Sequence, residues 1–173
     1  WIELLKAIVP DLSRAVVLWD PSPGPAHLHV VKALARSSGL QLQVIEVTKP
    51  ADLAKAFSAF RGRPQALIIL PSPMMYIQSE QLAKLTLKHR LPATSMAPAF
   101  ADAGGVIAYG PEDSPLDERC AALVAKILGG AKPADLPVER PTKFKLIVNQ
   151  KTAKALGLTI PQSIMLQADE VIR

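Results

Sequence analysis

The side chains able to do chemistry in this chain are few and scattered. His27 and His29 form its nearest approach to a metal pair, but residues two apart on a helix point to different sides and cannot share a tetrahedral ion. No metal site is expected. His89 closes a run of Lys and Leu at a helix end, where a cationic ring complements the helix dipole. Cys120 is the single cysteine, so no internal disulfide forms, and its place on an apolar helical stripe predicts a buried thiol rather than a nucleophile. There is no Gly-x-Ser-x-Gly elbow, and no Cys–His pairing is suggested.

Asp20 ends an apolar run and opens the segment Asp20-Pro-Ser-Pro-Gly-Pro25. One glycine among three prolines cannot let the backbone approach a pyrophosphate closely, and no Walker-type loop occurs, so no nucleotide cofactor is expected. A phosphoacceptor domain would use a carboxylate here but needs another at the end of the third strand, where Pro71-Ser72 stands instead. Asp20 is then either a turn carboxylate or a ligand-orienting one. Ser72, Tyr76, Ser95 and Tyr109 fall at the ends of apolar runs, beside Met74, Met75 and Met96. A few hydroxyls on apolar walls describe a small-molecule pocket; the other reading is loop residues packed on one another.

The elements that must position these groups alternate. Ala15–Trp19, Leu40–Val47 and Ala66–Leu70 are predicted strands, the second alternating as near a sheet edge and the third continuous as in a sheet centre. Ala93–Ser95 and Val106–Tyr109 are two more. Helices are predicted over Trp1–Val9, from Pro25 to about Ser38 with Gly39 as the left-handed stop, over Pro50–Phe60, and over Gln78–His89. Pro71–Tyr76 is predicted as a loop. A further helix runs to Leu128 from a cap made by Ser114, Pro115 and Asp117, with Leu116, Cys120, Leu123, Val124 and Ile127 as its stripe. Ala131–Pro141 is a proline-punctuated linker. Beyond it come a strand at Phe144–Val148, a helix from about Asn149 to Leu156 and a helical turn or two around Ile164–Val171. Strand and helix in alternation predict an α/β fold, a doubly wound parallel sheet of order 2-1-3-4-5 with ligands at its switch point.

The 173 residues are 49% hydrophobic, enough for one cored domain. No apolar run reaches bilayer length, and the first residues lack the layout of a secretory signal. Because the chain opens on Trp1, inside a helix pattern, an excised or processed portion of something longer is expected. The net charge is +5, but the densest basic patch, Arg140, Lys143, Lys145, Lys151 and Lys154, is interrupted by Phe144, Leu146 and Ile147 and has no stacking platform, so nucleic acid is not expected as a partner.

Several segments, in order, carry a resemblance: Leu4–Val9 with Pro10, Val16-Val-Leu-Trp-Asp-Pro21, Leu40–Val47, Leu70-Pro-Ser72, Arg90-Leu-Pro92, Phe100–Gly110, Lys132–Val138, Lys143–Asn149, Lys151–Pro161 and Ala168–Ile172. Together they resemble the C-terminal portion of ABC-transporter substrate-binding proteins of the type I periplasmic-binding fold, in the family that includes tryptophan- and tyrosine-type binding proteins. One departure is Asp20, where the family more often has Asn. The resemblance implies two lobes joined by crossovers, with solute trapped between them. It implies a lobe core over 1–110, a crossover helix and linker over 111–141 that pack on the other lobe, and a closing strand and helices over 142–173. It also implies a non-catalytic, periplasmic or membrane-anchored extracytoplasmic receptor without a cofactor, which captures a small solute, possibly an amino acid, and hands it to an ABC permease. The half-site so implied comprises Asp20, Ser22, Ser72, Met74, Tyr76, Ser95, Met96 and Tyr109. Left alone, the helix Pro115–Leu128 is expected to expose its stripe and recruit a second copy as a dimer. A ligand-sensing regulatory lobe of similar fold, or a small-molecule enzyme such as a racemase, are the competing classes; a two-thiol racemase would need a second cysteine.

Overall fold

The computed structural model describes residues 1–112 and 117–173 in full, and residues 113–116 only by their place in a helix. Its centre is a seven-stranded sheet of order β2-β1-β3-β4-β5-β6-β7. The strands are β1 (Arg14–Trp19), β2 (Gln41–Glu46), β3 (Ala66–Ile69), β4 (Ala93–Ser95), β5 (Ile107–Pro111), β6 (Phe144–Asn149) and β7 (Glu170–Ile172). The first five pair in parallel in the predicted order, with β2 at an edge and β3 flanked on both sides. β6 joins antiparallel, Ile107 opposite Val148, and β7 pairs in parallel with β6.

Sequence dictates the layers directly. Val16, Val17, Leu18, Leu67 and Ile68 are 0% exposed, so the central strands are apolar on both faces and each face needs a helical cover. On one face α1 (Ile2–Ile8) and α2 (Ala26–Ser37) set Leu5, Ile8, Leu28 and Val31 against Ala15, Val17, Ile68 and Ile107. On the other face, α3 (Leu53–Ser58), α4 (Pro73–Ile77), α5 (Ser79–Lys88) and α6 (Pro98–Asp102) set Leu53, Met75, Leu82 and Phe100 against Val16, Leu18, Leu67 and Ile69. Each such Leu or Ile contributes about 1.5–3 kcal/mol through removal from water. α8 (Gln150–Ala155) and α9 (Gln162–Gln167) add Ala153 and Ile164 to the α1 face.

Four expectations are corrected. Residues 71–76 are not all loop: Ser72 accepts the Met75 amide through its side chain and Pro73 occupies the first turn, so a short α4 forms at once. The segment 50–60 opens as a tight turn of 3₁₀ helix at Pro50–Asp52 before α3 begins. The tail is not helical to Val171, because α9 stops at Gln167 and Glu170–Ile172 extends along β6, where Lys145 and Glu170 pair at 2.7 Å. Cys120 is exposed, not buried. It lies on α7 (Asp113–Leu128), together with Val124, Ile127 and Leu128, which are exposed too. The stripe has the predicted period, but among the described residues no helix or strand is laid over it. The cap read at Ser114 and Pro115, and Leu116 of the stripe, lie outside the described residues. His89 caps the end of α5, as expected, and also packs its ring on Phe57 at 5.2 Å between centroids.

Among the described residues two buried polar groups have no hydrogen-bond partner, the Trp19 indole N–H and the Thr94 hydroxyl. Thr94 is 0% exposed on β4, between Ile68 and Ile107, and its hydroxyl has no partner. Replacing it with an isosteric methyl removes an unsatisfied polar atom from an apolar layer. Thr94→Val is expected to raise the unfolding free energy by about 1 kcal/mol in a urea titration. A loss of stability would show that the hydroxyl is satisfied after all.

Candidate functional site

In the observed order the chain leaves β1 toward β2 on one side and reaches β3 on the other, so the loops after β1 and β3 diverge at their C-terminal ends. The last ladder bond between these strands runs from the Leu70 amide to the Leu18 carbonyl, 3.0 Å. Beyond it stand Asp20 and Ser72, 6% and 8% exposed. The Ser22 amide donates to Asp20 Oδ1 at 2.9 Å, the turn an Asp side chain favours. Burial alone would raise the Asp20 pKa; the Ser22 amide, the Ser72 hydroxyl and the Ser22 hydroxyl outweigh it and hold the group below its ordinary value. Because the folded pKa lies below the unfolded one, Asp20 adds stability above the ordinary carboxylate range, and this is lost as pH falls through the folded value.

The other predicted residues divide by sheet face. Ser72 continues into α4, which leaves Tyr76 exposed and packs Met74 against the α5-face core. At the end of β4 the Ser95 hydroxyl accepts the Ala97 amide at 3.2 Å. Met96 follows and lies against Gly110 of β5: a Cβ on that glycine would sit 2.4 Å from Met96 Cγ and 2.5 Å from its carbonyl oxygen. Ser95 pairs with Ala108, which faces Ala101 and Ile147. Tyr109 is opposite Leu146, in the α1-face core, so its ring projects to the other side of the sheet. Asp20 and Ser22 are thus bonded to each other, Ser72 is bonded into α4, Ser95 ends β4 with Met96 after it, and Tyr109 stands apart from them.

Tyr109 belongs to a cluster that the sequence did not disclose. Its ring stacks on Phe144 at 5.8 Å, and the Trp1 indole N–H donates to its carbonyl at 2.8 Å. These residues border a groove of about 580 Å³ with Leu4, Glu3 and Asp169. A second groove, of about 660 Å³, runs from Trp1 along Val30 and Leu34 of α2 to Arg140. Neither includes Asp20, Ser72 or Ser95. The switch-point edge carries the convergent hydroxyls and carboxylate, so the chemistry places the candidate site there, as an open rim. Among the described residues no cluster of His, Cys, Asp or Glu could hold a metal, and no helix is long and apolar enough to cross a membrane.

Gly110 was the sequence signal that could have joined Met96 to β5, since a glycine inside a strand marks close backbone approach. Gly110→Ala would drive a methyl into the Met96 carbonyl, which is backbone and cannot swing aside. A loss of about 1–3 kcal/mol in chemical denaturation is expected from such overpacking. Unchanged stability would mean that β4 and β5 are not so close.

Comparison with known proteins bears on the family and the fold. The family model described as ABC transporter substrate binding protein matches residues 1–172. A tyrosine-binding protein of Clostridioides difficile is 19% identical over 159 residues, which make up 91% of this chain and 46% of that protein. A domain from Streptococcus pneumoniae crystallised in complex with L-Trp superposes with a TM-score of 0.89 at 25% identity, over 99% of this chain and 59% of that one. A conserved domain protein from Vibrio cholerae gives 0.92 at 23% identity, over 98% and 58%, which supports the fold alone. The chain spans about half the length of the curated relative and under two thirds of the solved ones. By its match along residues 1–172, the chain belongs to the ABC transporter substrate binding protein family.

Proposed function

We propose that the chain forms one lobe of a solute receptor of an ABC import system, which closes on an amino acid at the rim around Asp20, Ser22, Ser72 and Ser95 and delivers it to a membrane permease. The family match along residues 1–172 carries this reading. The relatives' names add the substrate class, since one is a tyrosine-binding protein and another was crystallised with L-Trp. An aromatic amino acid suits a rim with Met74 and Met96 as apolar wall and hydroxyls at Ser22 and Ser95. The receptor would work outside the cytoplasm, facing the permease.

In this proposal residues 1–110 and 142–173 build the lobe, and 111–141 leave it to reach a second lobe. β5 and β6 form the root of that excursion, paired out to Pro111 and Phe144 and prolonged by the Glu112 amide bonding the Lys143 carbonyl at 3.1 Å. Arg119 of α7 pairs with Glu139 and ties the returning linker to the helix. The exposed Cys120, Val124 and Ile127 are the face that the second lobe would cover. By light scattering above micromolar concentration, the 173-residue chain alone is expected to self-associate through this face, while the receptor with both lobes is expected to be monomeric. A monomeric mass for the chain alone would count against an uncovered docking face.

Substrate class is tested by a thermal-shift screen of the twenty amino acids on the full-length protein. At a hundred times its dissociation constant, a true ligand stabilises by about 2.7 kcal/mol. A rise in melting temperature with L-tryptophan or L-tyrosine is the expected result. No shift with any aromatic or branched amino acid would remove the amino-acid reading.

A further inference from the structure

We propose that the N-terminal end of the sheet, opposite the rim, docks on an anionic phospholipid surface and receives headgroup phosphates at a groove between Arg14 and Arg61. The cations involved are scattered in sequence and gathered by topology. β2, β1, β3 and β4 run in parallel, so the segments that lead into them all lie at one end. Arg14 opens β1, Arg36 lies in the last turn of α2 before β2, Arg61 and Arg63 precede β3, and Lys88 and Arg90 precede β4. All six are exposed. Across 9–14, 36–41, 59–65 and 88–92 they face a single carboxylate, Asp11, and among the described residues none of the six is in an ion pair.

Side-chain bonds hold these segments side by side. Gln65 Oε1 accepts the Ser13 and Arg14 amides at 2.9 and 3.1 Å, and Gln43 Oε1 accepts the Arg61 amide at 2.9 Å. Arg14 and Arg61 border one groove of about 290 Å³, lined also by Gln41 and Pro64. Guanidinium groups present planar, forked donors that match phosphate oxygens. Helix dipoles explain part of the pattern, since Arg36 and Lys88 end helices. They do not explain Arg14, Arg61 and Arg63, which stand outside helices, or Arg90, whose left-handed φ of 53° is commonest for glycine. Leu87, 43% exposed beside Lys88, sets an apolar side chain among the cations, as suits the headgroup boundary of a bilayer. Single-stranded nucleic acid would want open rings to stack on, and Phe57, Phe60 and His89 at this end pack on one another. A lobe held by this end keeps the rim, at the other end of the strands, clear of the lipid.

Vesicle co-sedimentation of the full-length protein, carrying no lipid modification, tests this. At low salt the protein is expected to bind vesicles of mixed phosphatidylglycerol and phosphatidylcholine, but not phosphatidylcholine alone, and to be released as ionic strength rises past about 0.15 M. Each arginine removed from the face is expected to lower the partition coefficient about fivefold, so Arg61→Ala with Arg63→Ala loses on the order of twentyfold. Arg61→Lys with Arg63→Lys keeps the charge and stays within about threefold. Lys126→Ala with Lys132→Ala removes the same charge away from this end and stays within about twofold. Equal losses from the two alanine pairs would mean that net charge alone drives binding, and the proposal falls. Absence of binding to the anionic vesicles at low salt overturns it as well, whether or not inorganic phosphate titrates the groove of Arg14 and Arg61. Tighter capture of single-stranded DNA than of vesicles at the same salt would contradict the lipid assignment. The experiment uses no amino acid, so its outcome is separate from that of the solute reading.

Discussion

Complete burial of the central strands on both faces is the constraint from which the rest of this molecule follows. Val16 and Leu18 point to one side and Val17 to the other, all at 0% exposure, and Leu67 and Ile68 repeat this on β3. A sheet apolar on both sides must be covered twice, and right-handed crossovers do so by placing each helix after its strand. Two helical layers leave only the strand ends open. Where the chain turns one way out of β1 and arrives at β3 from the other, those ends separate and polar side chains can collect without interrupting the core. Position of the rim is thus a consequence of packing, while its chemistry is set by a few loop residues.

Much of the fold was legible because burial on both faces leaves a strong mark. The runs at Ala15–Trp19 and Ala66–Leu70 became β1 and β3 to within a residue at each end, and Gly39 took the left-handed turn, at φ 67°, that stops α2. Short elements were harder. β7 has three residues and exists because β6 offers it an edge, with Asp169 accepting the Leu146 amide at 2.7 Å across 23 positions. Nothing local in Glu170-Val-Ile172 specifies that. Ser72 and Pro73 do carry the cap and first-turn signals of α4, but five residues are too few to show a helical period.

The site was legible in its location and less so in its wiring. Asp20 offers two roles on sequence alone, and the observed bond from the Ser22 amide two residues on is the turn role. Tyr109 was grouped with the rim from its place at a strand end; only the register opposite Leu146 shows which face its ring takes. Cys120 illustrates a further limit. Its stripe gave the side of α7 that is apolar, but a helical period is the same whether the partner lies within the chain or in another body. Cys120, Val124 and Ile127 are exposed, which the period alone does not decide.

The central claim is that the solute edge of this lobe is the rim at the ends of β1, β3 and β4, where Asp20, Ser72 and Ser95 stand. A crystal structure of the full-length protein grown with L-tryptophan or L-tyrosine tests it most directly. The account predicts solute within hydrogen-bonding distance of the loops at 20–24, 71–76 or 95–97, and Cys120 covered by the other lobe. Solute bound instead in the groove of Trp1, Tyr109 and Phe144, with the rim in solvent, would contradict it.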